Sequence, residues 1–278
     1  MNEITIIIIT YKSEMIIYDF IKKIPLAIKT IIIENSQNYE LKKNIEEKYN
    51  NISVYLKEND GVSSALNFAV EKIETKYFLQ ISPDLEFNFE DLNIFLNFAK
   101  KKNDIFAAIG PRFLDVNRKS HNQISEKIEH GEIDSIHGSC MFINKESFFK
   151  IGKFDENFFL YFEETEFCHR AKKKGYLSYQ INSSKVKTKG RSVDIENENN
   201  ENFSNILIWH FIWSKYYFHK KKYGNLLSLV IFIPLLVRTL FRIVFYKIKG
   251  NVLLLDKYKT RLDGLLKSIK GEKSSLRP

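Results

Sequence analysis

The chain reads as an α/β protein, with a mixed, mostly parallel sheet flanked by helices and a helical tail appended. Three observations predict this. Residues 4–10 (ITIIIIT) form an unbroken β-branched run, the pattern of a strand buried on both faces. Strand-like and helix-like segments then alternate over about a hundred residues, as in a doubly covered sheet. Last, residues 205–278 carry fifteen Lys/Arg against three Asp/Glu, whereas residues 1–204 carry 28 basic and 31 acidic residues.

Each element follows in turn. Residues 13–24 repeat apolar side chains at helical spacing. Residues 30–33 form a second strand that ends at Glu34-Asn35. Residues 39–49 are charged and helical, and residues 53–56 form a third strand. Residues 61–73 read as a helix entered through a turn. Residues 77–81 are a fourth strand, ending at Ser82-Pro83-Asp84. A helix over 90–101 and a strand over 105–110 continue the alternation. Residues 112–135 read as a polar loop with a hairpin. Residues 136–143 are strand-like and contain His137-Gly138-Ser139, and residues 194–202 are an acidic linker. Glu34, Asn59 and Asp84 fall at or just past strand ends, where such sheets collect functional residues.

Composition narrows the class. A hydrophobic fraction of 44% with 14% aromatics supplies a packed core and excludes disorder throughout. Cys140 and Cys168 make neither a disulfide framework nor a zinc-ligand spacing, which suits a reducing cytoplasm. The apolar run 4–9 is too short, and lacks the basic leader, for a signal peptide. The net charge of +9 resolves into −3 for residues 1–204 and +12 for the tail. A basic tail calls for an anionic partner. Residues 226–237 are almost wholly apolar, too short to span a bilayer unaided and interrupted by Pro234. Arg238 and Arg242 follow among apolar neighbours. This pattern suits a helix lying in an anionic membrane surface. The alternative is a helix packed on the preceding domain or on a second copy of the chain. Nucleic acid is a poor partner for so apolar a run. The expected division is a domain over 1–202 and a tail over 203–278.

The segment FDENFFLYFEETEFCHRAKKKGY, residues 154–176, concentrates chemistry. Asp155, Glu163, Glu164 and Glu166 sit among Phe158, Phe159, Tyr161 and Phe162. Apolar surroundings disfavour the charged carboxylate, which is how a protein makes one basic enough to take a proton near neutral pH. The plainer reading is a helix start with acids near its positive end. Arg170 pairs either with a carboxylate of this helix or with a phosphate.

The order of motifs resembles the family 2 glycosyltransferases, which have the nucleotide-binding GT-A fold, and in particular the rhamnosyltransferase-like branch that builds bacterial surface polysaccharide. TIIIITYKS resembles the opening strand and its turn, and IIIENSQN the strand ending in Val-Asp-Asn. ENDGVSSALNFAV is similar to Asn-x-Gly-x-x-x-Ala-x-Asn, and YFLQISPDLEF to the strand ending in Asn-Pro-Asp. HGSCMFINKESFFKIGKFDENFFLYFEETEFCHRAKKKGY resembles the acceptor and base segment. The resemblance covers about residues 3–192.

It implies roles by position. Thr10 and Tyr11 would contact base and ribose, or else form only a solvent-facing turn. Glu34, where the family has Asp, would accept from a uracil or thymine imide. Asn59 and Gly61 would shape the loop near the pyrophosphate, or serve only as a helix entry. Ser82 and Asp84 stand at the Asp-x-Asp motif, with Asp84 binding a Mg or Mn ion that bridges the diphosphate. Ser82 replaces the first acid, and Glu86 is a candidate helper. VKTKGRS has no His where the family often has one, so Lys187 and Lys189 would set their charge on the diphosphate instead. His137, Gly138 and Ser139 would floor the donor sugar and acceptor. Glu164 would be the general base, with Glu163 second. The implied activity is inverting transfer from a UDP- or dTDP-linked sugar to a lipid-linked or growing glycan, at the cytoplasmic face of the inner membrane, as a peripheral protein. Two other readings stay open: an inactive scaffold of a glycan-assembly complex, and a nucleotidyltransferase. Against the latter, the chain start lacks a glycine- and lysine-rich triphosphate loop.

Overall fold

A computed structural model of the chain describes residues 2–114, 123–189 and 200–277. The first half follows the expected alternation: β1 (Ile4–Thr10), α1 (Glu14–Ile21), β2 (Lys29–Glu34), α2 (Tyr39–Lys48), β3 (Ile52–Leu56), α3 (Val62–Lys72) and β4 (Tyr77–Ile81). Next come a short β5 (Leu85–Glu86), a 3-10 turn (Phe89–Asp91), α4 (Leu92–Lys101), β6 (Ala108–Phe113), β7 (His130–Ile133), β8 (Cys140–Asn144), α5 (Lys145–Ile151), α6 (Glu163–Lys173) and the long β9 (Ser178–Thr188).

The described strands form one sheet in the order β3-β2-β1-β4-β8-β6-β9-β5, with β7 also paired to β9. The run β3-β2-β1-β4 is parallel, as is β6 with β9, while β8 lies antiparallel between β4 and β6. Both faces of the sheet are covered. Ile4, Ile6 and Ile8 of β1 join α1, α2 and α4 in one core, and Ile7 joins α3, α5 and α6 in the other. That is why β1 is apolar without alternation. Parallel register carries the site residues off one edge. Thr10 pairs with Glu34 across β1 and β2, and Ile7 with Gln80 across β1 and β4, so Thr10, Glu34 and Ser82 emerge together.

Two expected strands begin later than the sequence pattern places them. The strand expected over 105–110 starts at Ala108, because Asn103 and Asp104 turn the chain with φ of 50° and 61°. The strand expected over 136–143 starts at Cys140. Residues 137–140 form a turn closed by the Cys140 N–H donating to the His137 carbonyl at 3.1 Å. Of the expected loop 112–135, residues 115–122 lie outside the described residues, and β7 supplies one strand of pairing there with β9. Residues 194–199 of the expected linker also lie outside them.

The chain divides into two compact units, Met1–Asp155 with Glu163–Asp194, and Glu156–Phe162 with Ile195–Pro278. The expected boundary at 202 falls inside a helix, and the aromatic segment before Glu163 groups with the tail. The second unit consists of α7 (Asn200–Tyr223), α8 (Asn225–Ile248) and α9 (Val252–Lys270) around Ile212, Tyr216, Phe232 and Leu265. Gly264 lets α9 approach α7: a Cβ there would lie 2.8 Å from the Trp209 carbonyl oxygen. The Trp209 indole N–H donates to Asp263 at 2.7 Å across the same pair. The apolar run 226–237, expected to be too short to span a bilayer unaided, lies within the longer α8. Pro234 lies inside it, and the helix runs on through Arg238 and Arg242 for 24 residues. By length and composition it is apolar enough to cross a membrane. Its exposed stripe of Leu226, Val230, Ile233, Val237, Leu240, Val244 and Ile248 follows a spacing of three and four residues.

Candidate active site

Thr10 and Glu34 meet at the ends of β1 and β2. The Thr10 hydroxyl donates to Glu34 Oε2 at 2.5 Å, and the Ser36 backbone N–H donates to Oε1 at 2.6 Å. The Ser36 hydroxyl donates to the same Oε1. Glu34 is fully buried, with both oxygens already accepting. The longer side chain, where the resemblance has Asp, is thus folded onto its own strand ends. Tyr11 follows Thr10 with its ring half-exposed and the Lys12 ammonium 5.4 Å from its centroid. The Lys57 N–H donates to the Glu34 carbonyl at 3.1 Å, which leads the chain from β3 into Asn59 and Gly61. Asn59 Oδ1 accepts from the Gly61 N–H at 3.3 Å, and Gly61 enters α3 at φ 98°, a conformation that suits glycine.

Asp84 sits half-buried just past β4. Its carbonyl accepts from the Lys189 N–H at 2.7 Å, and the Ser82 N–H donates to the Ser139 carbonyl at 2.8 Å. These two bonds join the Ser-Pro-Asp turn to the end of β9 and to the His-Gly-Ser turn. Glu86 points elsewhere: it is exposed, and its Oε1 lies 3.9 Å from Lys189 Nζ. Lys189 also stands beside Lys23, whose ammonium it holds below the usual range. Lys187 is exposed on the same strand. Among the described residues no three His, Cys, Asp or Glu side chains gather as a metal site. The donors at this edge, Asp84 and Ser82, are hard oxygens. They fit a Mg or Mn ion held by one carboxylate and completed by diphosphate oxygens.

The His-Gly-Ser turn faces the acidic helix. A Cβ built on Gly138 would lie 3.5 Å from Glu164 Cγ and 3.6 Å from its Oε2, so the turn lies next to that carboxylate. The Ser139 N–H donates to His137 Nδ1 at 3.2 Å. Glu163 and Glu164 open α6 and are 7% and 9% exposed. Burial pushes both carboxyl groups above the ordinary range. Glu163 is raised well above it, first by burial and then by the neighbouring Glu164 charge. For Glu164, burial outweighs its hydrogen bonds, including one from the Thr165 hydroxyl at 3.2 Å. Glu163 Oε2 is buried and accepts no hydrogen bond. The two sequence readings of this segment therefore coexist: the acids do start a helix, and they are also desolvated.

Several positioning features were not legible in the sequence. Tyr161 and Phe162 both adopt left-handed backbone, with φ of 67° and 68°, immediately before Glu163. That conformation costs a non-glycine residue roughly 1–2 kcal/mol. Packing offsets it: Tyr161 meets Phe211 at 5.6 Å and Phe162 stacks on Phe218 at 5.8 Å. Phe158 and Phe159 likewise pack on Tyr217 and His210 of α7. Asn67, the last residue of the Asn-x-Gly motif, clamps the Phe154 backbone, accepting from its N–H at 3.1 Å and donating to its carbonyl at 3.0 Å.

Arg170 is structural. Its Nε and Nη2 bond the two oxygens of buried Glu166 at 3.1 and 3.0 Å. Its remaining donors reach the carbonyls of Ile151, Gly152 and Lys153 at 2.7, 3.1 and 2.6 Å. Five donors meet five acceptors, leaving none for a phosphate. Arg170→Met is expected to destabilise the protein by about 3–5 kcal/mol in a urea titration, because it removes both bonds of the ion pair to a buried carboxylate. An unchanged midpoint would refute this role.

A model of the family described as Glycosyl transferase family 2 matches residues 5–171. The low-salt glycan biosynthesis hexosyltransferase Agl10 of Haloferax volcanii is 28% identical over 194 residues, 62% of this chain and 62% of that protein. The N-acetylglucosaminyl-diphospho-decaprenol L-rhamnosyltransferase of Mycobacterium tuberculosis is 33% identical over 63 residues, 22% of this chain and 20% of that one. The matches thus span less than two thirds of these relatives' length. Among solved structures, the mannosyltransferase PcManGT from Pyrobaculum calidifontis, in complex with GDP-Man and Mn2+, aligns with a TM-score of 0.60 at 13% identity, over 98% of this chain and 88% of that one. S. aureus TarS 1-349 aligns with a TM-score of 0.56 at 13% identity, over 97% and 92%. At such identities the likeness concerns the fold, and the architecture is of the expected GT-A kind.

Proposed function

The chain belongs to glycosyl transferase family 2, and on that premise we propose that it is an inverting glycosyltransferase with Glu164 as its general base. The observation that carries this reading is the desolvated Glu164 carboxylate beside the His-Gly-Ser turn, within van der Waals reach of the Cβ position of Gly138. An acceptor hydroxyl beside Glu164 gives its proton to that carboxylate while its oxygen attacks the anomeric carbon. A new glycosidic C–O bond forms as the C–O bond to the diphosphate breaks, and the electron pair leaves on the diphosphate. Burial and like charge raise both acids, and the proton of the pair is assigned to Glu163, whose Oε2 is buried without a hydrogen-bond donor, so a single negative charge occupies the pair when Glu164 ionises. Thr10, Tyr11, Glu34, Asn59, Gly61 and Ser82 form the nucleotide side. Asp84 would hold Mg or Mn, which neutralises charge on the leaving diphosphate. Lys187 and Lys189 add positive charge at the neighbouring strand end.

The donor is a UDP- or dTDP-linked sugar, and the acceptor is carried on a lipid diphosphate. The name of the M. tuberculosis relative supports rhamnose and such an acceptor. The +12 tail and the exposed stripe of α8 support association with an anionic membrane surface at its cytoplasmic face. Calorimetric titration with UDP, dTDP and GDP, each with and without Mn2+, tests the reading. Metal-dependent binding of one pyrimidine diphosphate is expected. Binding of none of the three would overturn it in favour of an inactive relative.

A further inference from the structure

The second unit contains a cationic site that the transfer chemistry above does not use. A cavity of about 300 Å³ is lined by Tyr161, Leu207, Phe211, Lys257, Tyr258 and Arg261, with Ile208 and Ile212 beside them. Its walls are apolar except for the two cations and the tyrosine hydroxyls. Arg261 is half-buried, and its Nε is buried without a hydrogen-bond partner. Arg238 of α8 and Lys215 of α7 stand close enough for their charges to act on it and on each other. Lys215 is half-buried and Arg238 is exposed. Among the described residues, no carboxylate pairs with Lys215, Arg238 or Arg261. Burial and mutual repulsion hold both Lys215 and Arg261 below their ordinary pKa ranges. One turn along α8, Arg242 donates to the Tyr246 hydroxyl at 2.9 Å, and Tyr246 stacks on Tyr258 at 5.6 Å, which fixes that wall of the cavity.

Half-buried cations gathered without an acid are costly unless an anion joins them. The outward stripe of α8 on the same unit offers apolar surface from Leu226 to Ile248. A phosphate that carries a long apolar chain satisfies both features. We propose that Lys215, Arg238 and Arg261, at the cavity walled by Tyr161, bind the diphosphate head of a membrane-borne lipid whose chain lies along α8. The lipid of this site is the acceptor carrier proposed above. This assignment rests on the lipid-diphosphate acceptor proposed above.

The test measures flotation of the full chain with three sets of vesicles. These are phosphatidylcholine alone, phosphatidylcholine doped with a polyprenyl diphosphate, and phosphatidylcholine doped with phosphatidylglycerol to the same surface charge. Wild-type protein is expected to bind the polyprenyl diphosphate vesicles most tightly. Arg261→Gln and Arg238→Gln should each weaken that binding by about tenfold or more, as expected for lost charge-assisted bonds. Binding to the other two vesicle sets should change far less, and Arg261→Lys should retain most of the affinity. Thermal melting of each variant shows whether it is folded, and Arg238, being exposed, is the safer substitution. Equal losses on phosphatidylglycerol and polyprenyl diphosphate vesicles would overturn the site in favour of unspecific surface charge. Unaltered binding of folded variants would overturn it as well. Nucleotide titration of the same variants separates the two readings: retained nucleotide binding with unaltered lipid binding refutes this site alone.

Discussion

Glu164→Gln is expected to lower the transfer rate by about 10²–10⁴-fold, the usual contribution of a general base, with nucleoside diphosphate affinity nearly unchanged. The amide keeps the size of the side chain against Gly138 but cannot take a proton. The pH profile is an independent check. The proposed base acts as the carboxylate, and burial raises its pKa, so the acid limb of kcat/KM should fall above the ordinary glutamate value of 4.5. Glu163→Gln should behave differently, because a neutral amide imitates the protonated acid proposed for that position. It should keep most of the transfer rate and leave the acid limb in place. It should also stabilise the fold. A buried acid whose folded pKa is raised binds a proton that the unfolded chain releases, so stability falls as pH rises from 4.5 toward the raised value. The variant escapes that loss and should melt higher at neutral pH. Equal activity losses in the two variants would reverse the assignment of roles, and full transfer by Glu164→Gln would remove it.

Asp84→Ala should weaken nucleoside diphosphate binding in the presence of Mn2+ by about 100-fold, since one carboxylate anchors the ion and the diphosphate must supply the other ligands. Without Mn2+, the variant and the wild type should bind alike. Glu86→Ala is the control: that side chain is exposed and directed to Lys189, so affinity should hold. If Asp84→Ala binds nucleotide as well as wild type with Mn2+ present, Lys187 and Lys189 at the end of β9 carry the diphosphate.

Strand ends and short motifs were readable because they are local. The β-branched run of β1 announces burial on both faces, and Gly61 announces a turn that side chains resist. Glu163 and Glu164 stood out because acids are rare beside so many aromatic rings. Three things were not readable. The strand expected over 136–143 hid a turn, since an apolar run does not record where the hydrogen-bonded ladder starts. The full length of α8 was not readable because a count of the uninterrupted apolar run stops at two arginines, although helices tolerate them well. The left-handed pair Tyr161-Phe162 breaks local preference and persists only through rings supplied from α7.

What the sequence by itself determined is therefore the sheet, the order of its strand-end motifs and the acidic helix, all set by side-chain periodicity within a few neighbouring residues. Only the tertiary structure decided which residues meet. It placed Gly138 on Glu164, emptied Arg170 of any role at a phosphate, folded Glu34 back onto Thr10 and gathered Lys215, Arg238 and Arg261 without an acid. The physical reason is that hydrogen bonds and charge interactions depend on distances of a few ångströms between residues far apart in the chain, which no local pattern records.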